Sequence, residues 1–160
     1  MSGDEQELIA QLEAQERELI FGRFDNTDAW KLGCAMVAAA SARALAITID
    51  IRRHGHQLFH AALDGTTPDN DAWIERKVNV VNRFGASSYL VGRRLAAAGR
   101  ELDAALGVEP VLFAPHGGAF PIRIAGVGVV GTVTVSGLPQ SEDHAFVVEM
   151  ISAFLAGRSG

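Results

Sequence analysis

One lysine stands where an apolar residue is expected. In the segment WIERKVNVVNRF, Trp73, Lys77, Val80 and Phe84 share one helical face at three-to-four-residue spacing. Two chemistries suit such a lysine. Its stem can pack while the ammonium snorkels to water or to a carboxylate such as Asp50. Alternatively it forms the floor of a pocket and holds an anionic group as a point charge.

The histidines offer a second set of groups. His116 directly precedes Gly117-Gly118, a pair that lets the backbone approach a ligand closely or turn with positive φ. Asp143 and His144 fall in the first turn of the last expected helix, where free N–H groups can hold an anion. His116 and His144 meet if the final hairpin folds back; otherwise the glycines are turn formers and His144 is a helix-start residue. Along the same hairpin, Arg123 shares a face with Pro121 and Ala125, and Thr132, Thr134 and Ser136 share a face on the next strand. Arginine beside hydroxyls binds carboxylate or phosphate, although the solvated side of an antiparallel sheet has the same composition. His54, His56 and His60 have equal parity, so an unbroken strand would present three imidazoles for a metal or heme iron. Gly55 argues instead for a turn between the first two, with exposed polar histidines.

These residues need elements to position them. Glu5–Ile20 reads as an amphipathic helix with Asp4 as its cap, and a second helix runs from Ala29 to Arg43 after Asn26-Thr27-Asp28. Leu45–Ile51 alternates as a strand and pairs across Arg53-His54-Gly55-His56 with Gln57–Leu63. Helices are expected over 72–84 and 88–106, a short strand over 111–114, strands over 120–125 and 129–136, and a last helix opening at Ser141. Strand pairs set apart from helices predict an α+β fold with a largely antiparallel sheet, within a single domain spanning 1–160.

Bulk properties exclude several classes. The chain carries 19 acidic against 14 basic residues, for a net charge of -5, which makes nucleic acid a poor partner. No apolar run is long enough for a membrane span, and the acidic N-terminal segment lacks signal-peptide order, so the expected location is cytoplasmic. The single cysteine, Cys34, excludes an internal disulfide and is expected to be buried in its alanine-rich helix. No CxxC, HExxH, GxSxG or Walker A pattern occurs. Gly126–Gly131 spells GxGxxG, but no helix follows, which excludes a dinucleotide site.

The segments HGGAFPIRI, GVGVVGTVTVSGLPQSEDHAFVVEMI and WIERKVNVVNRFGASSY together resemble the UPF0303 family, within the heme-degrading-domain group of GlcG-like and HbpS-like proteins. The resemblance covers most of the chain. It implies a profilin-like sandwich with a five-stranded antiparallel sheet packed with helices, and it implies homo-oligomerisation. Some HbpS-like relatives bind heme and are linked to its breakdown or sensing. The matching positions are Trp73, Lys77, His116, Gly117, Gly118, Pro121, Ser136, Gly137, Leu138, Pro139, Asp143 and His144.

The leading expectation is a homo-oligomer that binds an anionic small molecule, with heme as one candidate. Its ligand-binding residues would be Lys77, His116, Gly117, Gly118, Arg123, Ser136, Asp143 and His144. His116 or His144 would serve iron, and Lys77 or Arg123 the propionates. A second reading is an enzyme with His116 or His144 as acid/base and Lys77 stabilising developing negative charge. A third is an interaction scaffold that assembles through the N-terminal helix and the alanine-rich helix around Cys34.

Overall fold

The computed structural model describes residues 2–158. Five helices and four strands follow one another as α1 (Gly3–Glu18), α2 (Asn26–Ala42), β1 (Thr48–Arg53), β2 (His56–Ala62), α3 (Pro68–Phe84), α4 (Ser88–Ala97), β3 (Ala119–Ile124), β4 (Gly128–Ser136) and α5 (Gln140–Arg158). The strands form one antiparallel sheet in the order β2-β1-β4-β3. This is an α+β architecture with four strands among the described residues, not five.

The missing strand is the 111–114 segment. Pro110 opens a short 3-10 turn through Leu112. The backbone beyond it is satisfied by α3 instead of a sheet edge: Ala114 N–H donates to Arg76 O at 3.0 Å, and the Asn79 amide donates to Leu112 O at 2.8 Å. An apolar run whose backbone finds partners on a helix has no reason to pair as a strand.

Helices cover both sheet faces. On one, Ile47, Ile49, Ile51, Phe120, Ile122, Val133 and Val135 pack with Leu32 and Met36 of α2 and with Phe146, Val147 and Ile151 of α5. The other face carries Thr48, Asp50, Thr132, Thr134 and Ser136, all buried, and it lies against α3. The hydroxyl-bearing side of the final hairpin is therefore not a solvated surface. α1 braces α4 through a smaller apolar cluster that includes Leu12, Val80, Tyr89, Leu90 and Leu102.

Local chemistry explains the element ends. Asp25 and Asp28 form a reciprocal capping box that starts α2 three residues before the expected position. Ser2, not Asp4, caps α1. His54 and Gly55 take φ of 52° and 77°, a two-residue turn whose twist suits the β1–β2 hairpin. α4 stops at Ala97 instead of continuing to Leu106, because Gly99 adopts φ 64° and Arg100 N–H returns to Leu95 O at 2.9 Å. Cys34, expected to be buried, is exposed.

Candidate functional site

The end of the sheet where β4 leaves for α5 holds a cleft of about 300 Å³. Lys77 forms its floor. Its side chain reaches from α3 over the sheet and is 4% exposed. The ammonium donates to Val135 O and to Asp143 Oδ2, both at 3.2 Å. Asp50, the carboxylate considered from sequence, is not its partner. Asp50 instead meets Arg52 Nε at 2.8 Å, Gln57 Nε2 at 2.7 Å and His60 Nδ1 at 3.2 Å.

Asp143 is placed by the start of α5. Its carboxylate accepts from the N–H groups of Gly137 and Leu138 at 3.3 and 3.0 Å as well as from Lys77. The SGLP turn and the helix start thus build the lysine's counter-charge. Burial opposes charge on both partners: it lowers the Lys77 pKa against the pull of Asp143, and it raises the Asp143 pKa against Lys77 and the two backbone donors.

His116 lines the cleft, and the two glycines that follow it pack against Lys77 and the start of α5. A Cβ on Gly118 would lie 2.6 Å from Lys77 Nζ and 2.5 Å from Val135 O, at φ +141°. A Cβ on Gly117 would lie 2.1 Å from Gln140 O. The glycines therefore let the backbone close onto the lysine and onto the start of α5. His116 stands at the rim, its ring edge-to-face with Trp73 at 5.6 Å. Partial desolvation, then the positive charges of Lys77 and Arg76, hold its pKa below the usual imidazole value, so it is neutral at pH 7. Asn70 completes the polar lining. Its Oδ1 accepts from Thr67 N–H at 2.9 Å while its amide faces Ser136 O and Oγ, both at 3.4 Å. Asp69 and Gln140 also line the cleft.

His116 has a second side. A groove of about 450 Å³ between α4 and the 110–116 segment is lined by Leu95, Leu102, Phe113, Pro115 and His116, with Arg93 and Arg100 among its walls.

The structure brings together Lys77, His116, Ser136 and Asp143 around the cleft, whereas Gly117 and Gly118 do not line it and pack against the start of α5 and Lys77. It separates two residues expected to join them. Arg123 turns away, because its Nη1 donates to Glu16 Oε2 and O at 3.0 and 3.1 Å and its Nη2 to Gly85 O at 2.8 Å. His144 packs beside Tyr89 and Phe120, and its Nε2 meets Gln15 Oε1 at 2.7 Å. Burial lowers its pKa to about 4. The other three histidines do not converge: His54 sits in the turn, His56 is exposed, and His60 lies between Asp50 and Asp71. Among the described residues no cluster of three or more His, Cys, Asp or Glu can hold a metal ion. Asn70 and Gln140 line the cleft without a sequence signal that marks them as binding residues. Asn70 follows Thr67 at capping-box spacing, a signal that explains a helix start and conceals its second contact.

One antiparallel sheet clad by helices on both faces, with a lysine–aspartate cleft at the end of its inner strand β4, defines a small α+β domain of a recognisable class. The chain belongs to the family described as haem degrading protein HbpS-like, whose model matches residues 24–152. It is 56% identical over 147 residues to a UPF0303 protein of Streptomyces coelicolor, covering 92% of this chain and 93% of that one. The crystal structure of the Ybr137w protein superposes with a TM-score of 0.85 at 31% identity, covering 95% of this chain and 90% of that one. A crystal structure of a PduOC:heme complex shares the fold, with a TM-score of 0.69 at 15% identity over 81% of this chain and 94% of that one.

Proposed function

We propose that this protein binds a small anionic molecule in the cleft between Lys77 and His116. The observation that carries this reading is a buried ammonium at the floor of a cleft, with two protein acceptors and no third among the described residues. The volume is at the lower end of pockets that enclose drug-sized molecules, roughly 300–1,000 Å³. Asp143 tunes the site. When an anion arrives, the buried carboxyl can take up a proton, leaving Lys77 as the uncompensated charge. Affinity then rises as pH falls.

Heme is the specific candidate. The PduOC:heme complex has this fold, and the family model is that of a haem degrading protein. The residues here fit the group. An accessible neutral imidazole is what iron requires, and His116 supplies one beside a groove of mixed lining, with Leu95, Leu102 and Phe113 next to Arg93, Arg100 and Glu101. His116 would hold the iron, while Arg93 and Arg100 on the groove side, or Lys77 on the cleft side, would face the propionates. Heme, when bound, supplies iron-centred redox chemistry.

The test is a heme titration followed in the Soret region, with His116→Ala and Lys77→Met alongside. Saturable binding at one site per chain that is lost in His116→Ala is the expected result. Weak, non-saturating absorbance changes shared by all three proteins would remove heme. Quenching of Trp73 fluorescence by small carboxylates would then carry the anion reading by itself. The protein is further expected to act in the cytoplasm as a homo-oligomer; no helix among the described residues is long and apolar enough to cross a membrane.

A further inference from the structure

We propose that the molecule taken by the cleft is a short amino acid with a few carbons between its charges. Its carboxylate meets Lys77 on the floor, and its ammonium group lies at the mouth, between Trp73 and Asp69. The inference rests on the reading that Lys77 receives an anionic group, and it adds the charge at the other end of the molecule.

The order of side chains along α3 is the first argument. Asp69, Trp73 and Lys77 stand at i, i+4 and i+8, and all three line the cleft. One stripe of the helix presents an exposed carboxylate at the mouth, an indole in the middle and an ammonium that is 4% exposed at the floor. Eight residues span about 12 Å along a helix axis, and a long side chain leans back toward the helix N-terminus, which shortens the gap between the charges. The third N–H of Lys77, left over by Val135 O and Asp143 Oδ2, is the donor for the incoming carboxylate.

Asp69 is the second argument. α3 carries three acidic residues, Asp69, Asp71 and Glu75. Asp71 pairs with His60 and Glu75 with Arg52. Asp69 has no hydrogen bond or ion pair among the described residues. The helix dipole favours an acid in the first turn whichever way it points, and Asp71 already meets that preference. The dipole does not account for a free carboxylate on the stripe that faces the cleft.

The balance of charge is the third argument. Among the described residues Lys77 is the one cation lining the cleft, against Asp69 and Asp143, and His116 is neutral at pH 7. A simple carboxylate brings a further negative charge to a site where negative charge already prevails. An amino acid brings both signs and leaves the balance unchanged. Its ammonium lies near an indole that already holds the Arg76 guanidinium 4.7 Å from its ring centre.

The experiment is isothermal titration calorimetry of the whole folded chain at low ionic strength, with γ-aminobutyrate and butyrate as probes. Wild type and Asp69→Asn are compared. The expected result in wild type is γ-aminobutyrate bound about 5-fold more tightly than butyrate, the upper end for one solvent-exposed ion pair. Asp69→Asn should move the two affinities in opposite directions. γ-Aminobutyrate weakens, while butyrate binds as well or more tightly, because a negative charge has left the mouth. A carboxylate that only supports the helix would shift both ligands the same way. Butyrate binding as tightly as γ-aminobutyrate in wild type, or parallel shifts in the variant, would overturn the proposal and leave the anion reading standing. Binding of neither compound would remove both.

Discussion

Gly118 is fixed by two neighbours at once. Any side chain there meets both Val135 O and Lys77 Nζ, and the backbone has a positive φ. Gly118→Ala should therefore cost about 2 kcal/mol or more, in the range of strained-φ and overpacking substitutions. Chemical denaturation checks this, and a repositioned Lys77 should also weaken small-carboxylate binding. His144 makes a different prediction. Its pKa is about 4 in the folded chain against an ordinary 6.5, so the unfolded chain binds more protons between those values. Stability is unaffected by this group above about pH 6.5 and falls as pH drops toward 4. At about pH 5 the loss should be on the order of 2 kcal/mol relative to neutral pH. Denaturant midpoints of wild type and His144→Phe at the two pH values test it: the variant should lack this part of the acid sensitivity. An equal decline in both would assign the effect elsewhere.

At the scale of elements, α1 is fastened by polar groups as much as by its apolar side. Glu16 is nearly buried; it accepts from Arg123 and from Ser87 N–H, the latter at 2.6 Å. Gln15 meets His144. Arg123 thus joins β3, α1 and the end of α3, a structural tie with no reach into the cleft. Arg123→Met should lower stability by about 2–4 kcal/mol, because it leaves a buried carboxylate without its cation. Small-carboxylate affinity at the Lys77 cleft should remain within about twofold of wild type, since the interaction free energy of well-separated sites is small. A large loss of affinity in a folded Arg123→Met protein would return this residue to the site. The same packing makes α1 part of the fold of a single chain, which weighs against its serving solely as an assembly surface.

For the whole molecule, the outer side of α2 and β2 is the surface that stands out. Trp30 is 63% exposed and stacks edge-to-face on Phe59 at 5.9 Å. Phe59 in turn lies directly over Gly33. β2 is an edge strand, so its outer backbone groups are available for a neighbour. If the protein self-associates through this side, Trp30→Glu should shift the sedimentation coefficient toward the monomer while leaving the circular dichroism spectrum unchanged. An unaltered assembly would place the contact on another surface.

The sequence determined the elements and much of the cleft because both depend on short-range rules. Alternation placed Ile49 and Ile51 on the core face, helical spacing put Lys77 on a buried stripe, and Gly117-Gly118 marked a close backbone approach. Its errors came where residues far apart compete for the same group. The 111–114 run had strand-like composition, but α3 took its hydrogen bonds, leaving four strands. Asp50 had the right charge to meet Lys77, but it is held by Arg52, Gln57 and His60, while Asp143, 66 positions away from the lysine, closes the pair. Arg123 and His144 had the chemistry of a binding site and were claimed by α1. Residue type and local periodicity are properties of a neighbourhood in the chain. Which donor meets which acceptor is settled only when the whole fold brings distant groups together, because each buried polar group takes the partner that packing sets beside it.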